Sequence, residues 1–192
     1  MGFRQIAVPV ITTFLALLAS AGETPKPALD YTPGGELKFP ANYREWIYLS
    51  SGVGMTYGPA RALVQQDHPD IDNVFVNPDA YQYFLANGTW PDKTSLVLEI
   101  RNSATNGSIN RGGFFQGDTM AIEVHVKDKR FEGGWAFFDF AGANRAAGKP
   151  FPKSASCFSC HEQHGAVDTT FVQFYPTLQS VAKAKGTFKG DR

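Results

Sequence analysis

Polar and apolar positions alternate with a period of two through residues 119–127. Met120, Ile122, Val124 and Val126 fall on one side, and Ala121, Glu123, His125 and Lys127 on the other. That period predicts a strand with one face turned to a core. Residues 95–101 repeat it, with Leu96, Leu98 and Ile100 opposed to Val97, Glu99 and Arg101. Shorter aromatic and β-branched runs at 43–50, 73–77 and 134–140 predict three more strands. Between them stands a punctuated helix: Asn77 as cap, Pro78 in the first helical position, Tyr81, Phe84 and Leu85 on one face, and Gly88 past the end. Residues 59–66 predict a helical turn within a long loop, and 102–117 a second loop rich in Gly, Asn and Ser. Beyond residue 153 the pattern changes to short helices, one at 157–164 and one from Pro176 to Lys185 closed by Gly186. The fold class is therefore α+β: a mainly antiparallel sheet with accessory helices in a single domain.

The N-terminus alters the domain boundaries. Arg4 precedes an apolar run from Ile6 to Leu18, and Ala19-Ser20-Ala21 is a small-x-small cleavage site. Residues 1–21 thus read as a signal peptide with a mature start at Gly22. The run is short of the ~20 apolar residues that cross a bilayer, and it contains Pro9, Thr12 and Thr13. The expectation is an exported protein, periplasmic in a Gram-negative source and not membrane-embedded after cleavage. Residues 22–38, rich in Pro, Gly and charge, predict a flexible tail or linker that is ordered only if it docks. The remaining domain is 39–192.

Charge excludes one partner class. Eighteen basic residues balance 18 acidic ones, with no basic stripe, so there is no electrostatic footprint for nucleic acid. Aromatic content is high at 14%, enough to line something flat and apolar or to fill a ring-rich core.

The chain has only two cysteines, and they sit in Cys157-Phe158-Ser159-Cys160-His161. C-x-x-C-H is the attachment pattern of haem c. Residues i and i+3 of a helical turn share a face, so both thiols reach one edge of a porphyrin and His161 is carried over the iron. A catalytic C-x-x-C disulfide would suit an oxidising compartment, but that motif follows the first strand of a βαβ unit rather than lying among C-terminal helices. A structural zinc needs four ligands, for which Cys157, Cys160, His161 and His164 are the only clustered donors. One covalent haem, held by Cys157 and Cys160 and ligated by His161, is favoured over both.

The opposite side of the iron separates electron carriers from gas binders. A sixth ligand would come from Met55, Met120, His68, His125 or His164. His164 is too near His161 to cross the ring, Met120 reads as core, and His68 lies in a polar loop. None stands out, so an open distal site is expected. Glu123 and His125 share a strand face that reads as solvated by pattern, or as holding a carboxylate near the iron that takes a proton from substrate.

The flanking sequence resembles the cytochrome P-460 family, including the cytochromes c′-beta. The matching stretches are PANYREWIYLS (40–50), NVFVNPDAYQYF (73–84), GTWPDKT (88–94), FFQGDTMAIEVHVKDKRF (114–131), GGWAFFDF (133–140), CFSCH and FVQFYPTL (171–178). The resemblance implies a mainly antiparallel domain over 39–192, frequently a homodimer, with five-coordinate haem and His161 proximal. It also implies two branches. The cytochromes P-460 cross-link a lysine to the porphyrin and oxidise hydroxylamine; the cytochromes c′-beta lack the link and bind gases such as nitric oxide. The lysine belongs immediately before a glutamate, and here Leu98 precedes Glu99, while Lys93 lies five residues earlier in the turn. The family's distal carboxylate corresponds to Glu123. The resulting expectation is a gas-binding cytochrome with Leu98 and Phe75 walling an apolar distal pocket. Its alternatives are an oxidoreductase that uses Glu123 as base on hydroxylamine or peroxide, and an electron-transfer cytochrome serving a soluble redox partner.

Overall fold

The computed structural model describes residues 2, 29–56, 67–141 and 145–190. The signal-peptide run and the helical turn expected at 59–66 lie outside the described residues. Five strands form one antiparallel sheet in the order β2-β3-β4-β5-β6. They are preceded by β1 (Leu37–Lys38); β2 is Ile47–Val53, β3 Ile71–Val76, β4 Ser95–Ala104, β5 Phe115–Lys127 and β6 Trp135–Asp139. The expected strand at 43–50 begins late, because Tyr43–Glu45 coil into a 3-10 turn closed by Trp46 N–H on the Tyr43 carbonyl. β1 pairs with β7 (Ala147–Gly148), and Leu37 is 1% exposed. The segment expected as a flexible tail therefore docks from Leu29 onward, held by an apolar anchor.

Helix α1 (Pro78–Asn87) starts and stops where its punctuation places it. Gly88 takes a left-handed φ of 73°, and its N–H caps the Phe84 carbonyl. A side chain there would clash with Lys185, 2.6 Å from the nearest atom. The C-terminal segment supplies α2 (Ser156–His164) and α3 (Pro176–Ala184).

The sheet divides its side chains between two layers. One face packs Val97, Ile122, Val124, Val126 and Phe138 beneath Leu37, Tyr43 and Trp46 of the N-terminal segment. The other packs Val76 and Leu96 against Phe84 of α1 and Leu178 of α3. Met120 departs from its expected core place and is 54% exposed. Ile100 pairs with Ala121 but Arg101 with Thr119, so Met120 is the extra residue of a bulge, and the alternation breaks there.

Glu99 on β4 is 1% exposed and ionised within the first layer. It pairs with Arg44 and Arg101, and accepts from Tyr43 Oη at 2.7 Å and Asn73 Nδ2 at 3.2 Å. Burial alone would raise its pKa. Hydrogen bonds from Tyr43 and Arg101 and the charges of both arginines outweigh that and hold it below the usual range. A depressed carboxylate stabilises the fold above its unfolded pKa and loses that contribution as pH falls through the folded one. Glu99→Ala should cost about 3 kcal/mol at pH 7, the low end for breaking a buried pair because Arg44 is half-exposed. Urea unfolding should also show the deficit narrowing below pH 4.

Candidate haem site

The second face of the sheet opens into a cavity of about 530 Å³, within the usual range of small-molecule sites. Strand register decides what faces it. Ser50, Val74, Leu98, Glu123 and Asp139 form one row straight across all five strands. Leu96, His125 and Phe137 form a second row across β4, β5 and β6. Leu98 and Glu123 therefore stand side by side in the cavity wall. On that face His125 is buried and Glu123 exposed.

Phe75 does not join them. It pairs with Val97 and with Tyr48, which puts it on the opposite face against Tyr43, with ring centroids 5.5 Å apart. Its expected role as a pocket wall is corrected: alternation hands that role to its neighbour Val74, which lines the cavity.

The cavity's other wall is the C-terminal segment. Helix α2 presents Cys157, Cys160 and His161 together, with Phe171, Phe174 and Tyr175 beyond them. The two cysteines form no disulfide with each other. His161 is edged by Phe171 at 4.2 Å, Phe137 at 4.6 Å and His125 at 4.8 Å between ring centroids. Its Nδ1 lies 2.8 Å from the Thr169 carbonyl oxygen. A carbonyl only accepts, so Nδ1 carries the proton and the Nε2 lone pair is left for a metal. Burial also lowers the His161 pKa, keeping the imidazole neutral.

These residues fit a haem. Two thiols sit one helical turn apart beside an imidazole of the correct tautomer, in a slot walled by rings. Among the described residues no group of three His, Cys, Asp or Glu converges as a metal site. The chain matches the Cytochrome P460 family model over residues 40–172.

The chain belongs to the cytochrome P460 family.

It is thus a haem-binding cytochrome, as the family implies. No curated protein matches the sequence. No helix of the described residues is long and apolar enough to cross a membrane.

The cavity also holds residues that pattern alone did not single out. Asp72 and Gly52 are paired on β3 and β2 in the cavity wall, and the Met55 thioether fills the space where a Gly52 side chain would stand. Burial raises the Asp72 pKa to about 6, with Asp70 adding to it. Glu123 opens onto the cavity but is crowded by protein; burial raises its pKa, with Asp139 and Asp72 contributing in the same direction. His125 is buried beside His161, and burial keeps it neutral.

A carboxylate with a raised folded pKa favours the fold below its unfolded pKa and gives that up as pH rises through the folded value. Asp72 therefore works against the fold between about pH 4 and 6 and above. Asp72→Asn should raise the melting temperature at pH 7.5 and leave it near wild type at pH 3.5, as read by thermal unfolding. An unchanged melting temperature at pH 7.5 would contradict the assigned burial.

Proposed function

We propose that this cytochrome is exported and carries one haem, joined covalently to Cys157 and Cys160. His161 is the proximal ligand of a five-coordinate iron whose open side takes small ligands such as nitric oxide. The observation that carries this reading is Leu98 standing next to Glu123 in the cavity wall. Leucine offers no nucleophile to the porphyrin and no donor to the iron, and no lysine lines the cavity among the described residues. A haem held there supplies an iron that coordinates diatomic ligands and exchanges one electron.

The residues divide the work. Helix α2 fixes the haem edge through its two thiols, and the Thr169 carbonyl fixes the imidazole tautomer. Val74, Leu96 and Leu98 make the distal wall apolar and exclude water from it. Glu123 is the polar group of that wall nearest Leu98, with its proton retained more readily than in an ordinary carboxylate.

Glu123 favours a second reading, an oxidoreductase in which it takes a proton from hydroxylamine or peroxide. A raised carboxylate pKa brings a general base closer to its operating pH. The two readings separate in one variant. Glu123→Gln should keep nitric oxide binding intact. If the second reading holds, the same variant loses about 100-fold or more of hydroxylamine turnover.

Haem staining after denaturing electrophoresis should follow the wild-type chain and vanish in the Cys157→Ala/Cys160→Ala double variant. The reduced wild-type protein should show a high-spin ferrous spectrum that changes on adding nitric oxide. A low-spin ferrous spectrum without added ligand would sink the open-site reading in favour of an electron carrier.

A further inference from the structure

We propose that His125 and Thr169 form a positioning layer behind the proximal imidazole. Through the Thr169 hydroxyl, His125 sets the strength of the bond that His161 makes to the haem iron. The inference rests on the reading of His161 as that ligand.

Thr169 has two contacts that point in different directions. Its carbonyl oxygen accepts from His161 Nδ1–H at 2.8 Å, and its hydroxyl lies 3.3 Å from His125 Nε2. The loop that carries it is otherwise held through its neighbours. Ala166 N–H donates to the Thr170 carbonyl, Thr170 N–H donates to the Val167 carbonyl, and Trp90 Nε1–H donates to Thr170 Oγ1 at 2.8 Å. Asp168, just before it, takes a left-handed φ of 52°. The hydroxyl contact with His125 joins the Lys127 Nζ–Asp168 Oδ2 ion pair at 3.0 Å in tying this loop to β5, and of the two it is the one made by Thr169 itself.

His125 is well placed to serve as that anchor. It lies on β5 between two paired strands, 8% exposed, with Leu96 on one side and Phe137 on the other. Its ring stacks on Phe137 at 4.0 Å and 11°, and tilts against Trp135 at 4.4 Å. Among so many rings a phenylalanine would pack as well. A buried imidazole costs desolvation free energy unless its nitrogen is used, and here Nε2 is used on Thr169. A hydrogen bond at Nδ1 raises the basicity of a ligating histidine. A more basic imidazole stabilises ferric over ferrous iron and so lowers the reduction potential. His125 acts through Thr169 and His161, which makes it a positioning residue.

The test uses the haem-loaded protein and two variants that remove the contact from either side. His125→Phe keeps the ring stack and loses the nitrogen. Thr169→Val keeps shape and backbone carbonyl and loses the hydroxyl. Resonance Raman of the ferrous form reads the iron–histidine stretch, and a redox titration reads the midpoint potential. Both variants should shift the stretch to lower frequency. Each should raise the potential by about a tenfold change in the ferric/ferrous balance, ~59 mV for one electron. The double variant should add little to either single one, and His125→Gln, which can still meet the hydroxyl, should lie closer to wild type. Wild-type stretch and potential in both single variants would overturn the proposal. Should His125→Phe fail to fold, Thr169→Val, which leaves the His125–Phe137 stack in place, decides it alone. A wild-type ferrous protein with no iron–histidine stretch would overturn the assignment of His161, and this inference with it.

Discussion

Strand alternation forces β4 and β5 to divide their side chains between a closed core and an open cavity, and the site depends on that division. Val97, Glu99, Ile122 and Val124 go to the closed side, and Leu98 and Glu123 to the open one. Side chains i and i+1 of a strand cannot share a face. A one-residue slip of register would put the Glu99 ion cluster into the haem cavity and bury Leu98 in its place. The Glu99 cluster with Arg44, Arg101, Tyr43 and Asn73 ties β3, β4 and the N-terminal turn together on the closed side. The interaction that guards the register is thus on the face away from the chemistry.

The cavity is a meeting of two unlike parts. The sheet supplies a rigid wall whose residues come from strands distant in sequence. The C-terminal segment supplies Cys157, Cys160 and His161 from one short helix and the Thr169 carbonyl from the loop after it. The two are joined at His161, which touches Phe137 and His125 of the sheet and the Thr169 carbonyl of the loop. The His161 imidazole is held from three sides by contacts that do not involve Leu98, Val74 or Asp72, which line the same cavity. That separation explains how one scaffold can hold its haem in a constant way while the chemistry on the other side of the ring varies.

What was readable in the sequence followed the range of the interactions involved. The α1 boundaries at Asn77, Pro78 and Gly88 and the short helix that carries Cys157 to His161 are local, and both were legible. The alternation of β4 also predicted which of Leu98 and Glu99 face apart. Phe75 was misplaced because its face depends on register against β4, which no local pattern carries. Met120 was misplaced because a bulge adds one residue to β5. The cavity face was hardest to read, since a wall that surrounds a cofactor mixes Glu123, His125 and Asp72 with Leu98 and so imitates a solvated surface. Thr169 gave no signal at all, because its contribution begins with a backbone carbonyl.

The central claim is that the cavity leaves one side of the iron open. X-ray absorption at the iron edge of the reduced, ligand-free protein tests it most directly. The account predicts five nitrogen ligands, four from the porphyrin and one from His161, with no sulfur in the first shell. A sixth ligand, above all a thioether sulfur from Met55, which lines the same cavity, would contradict it.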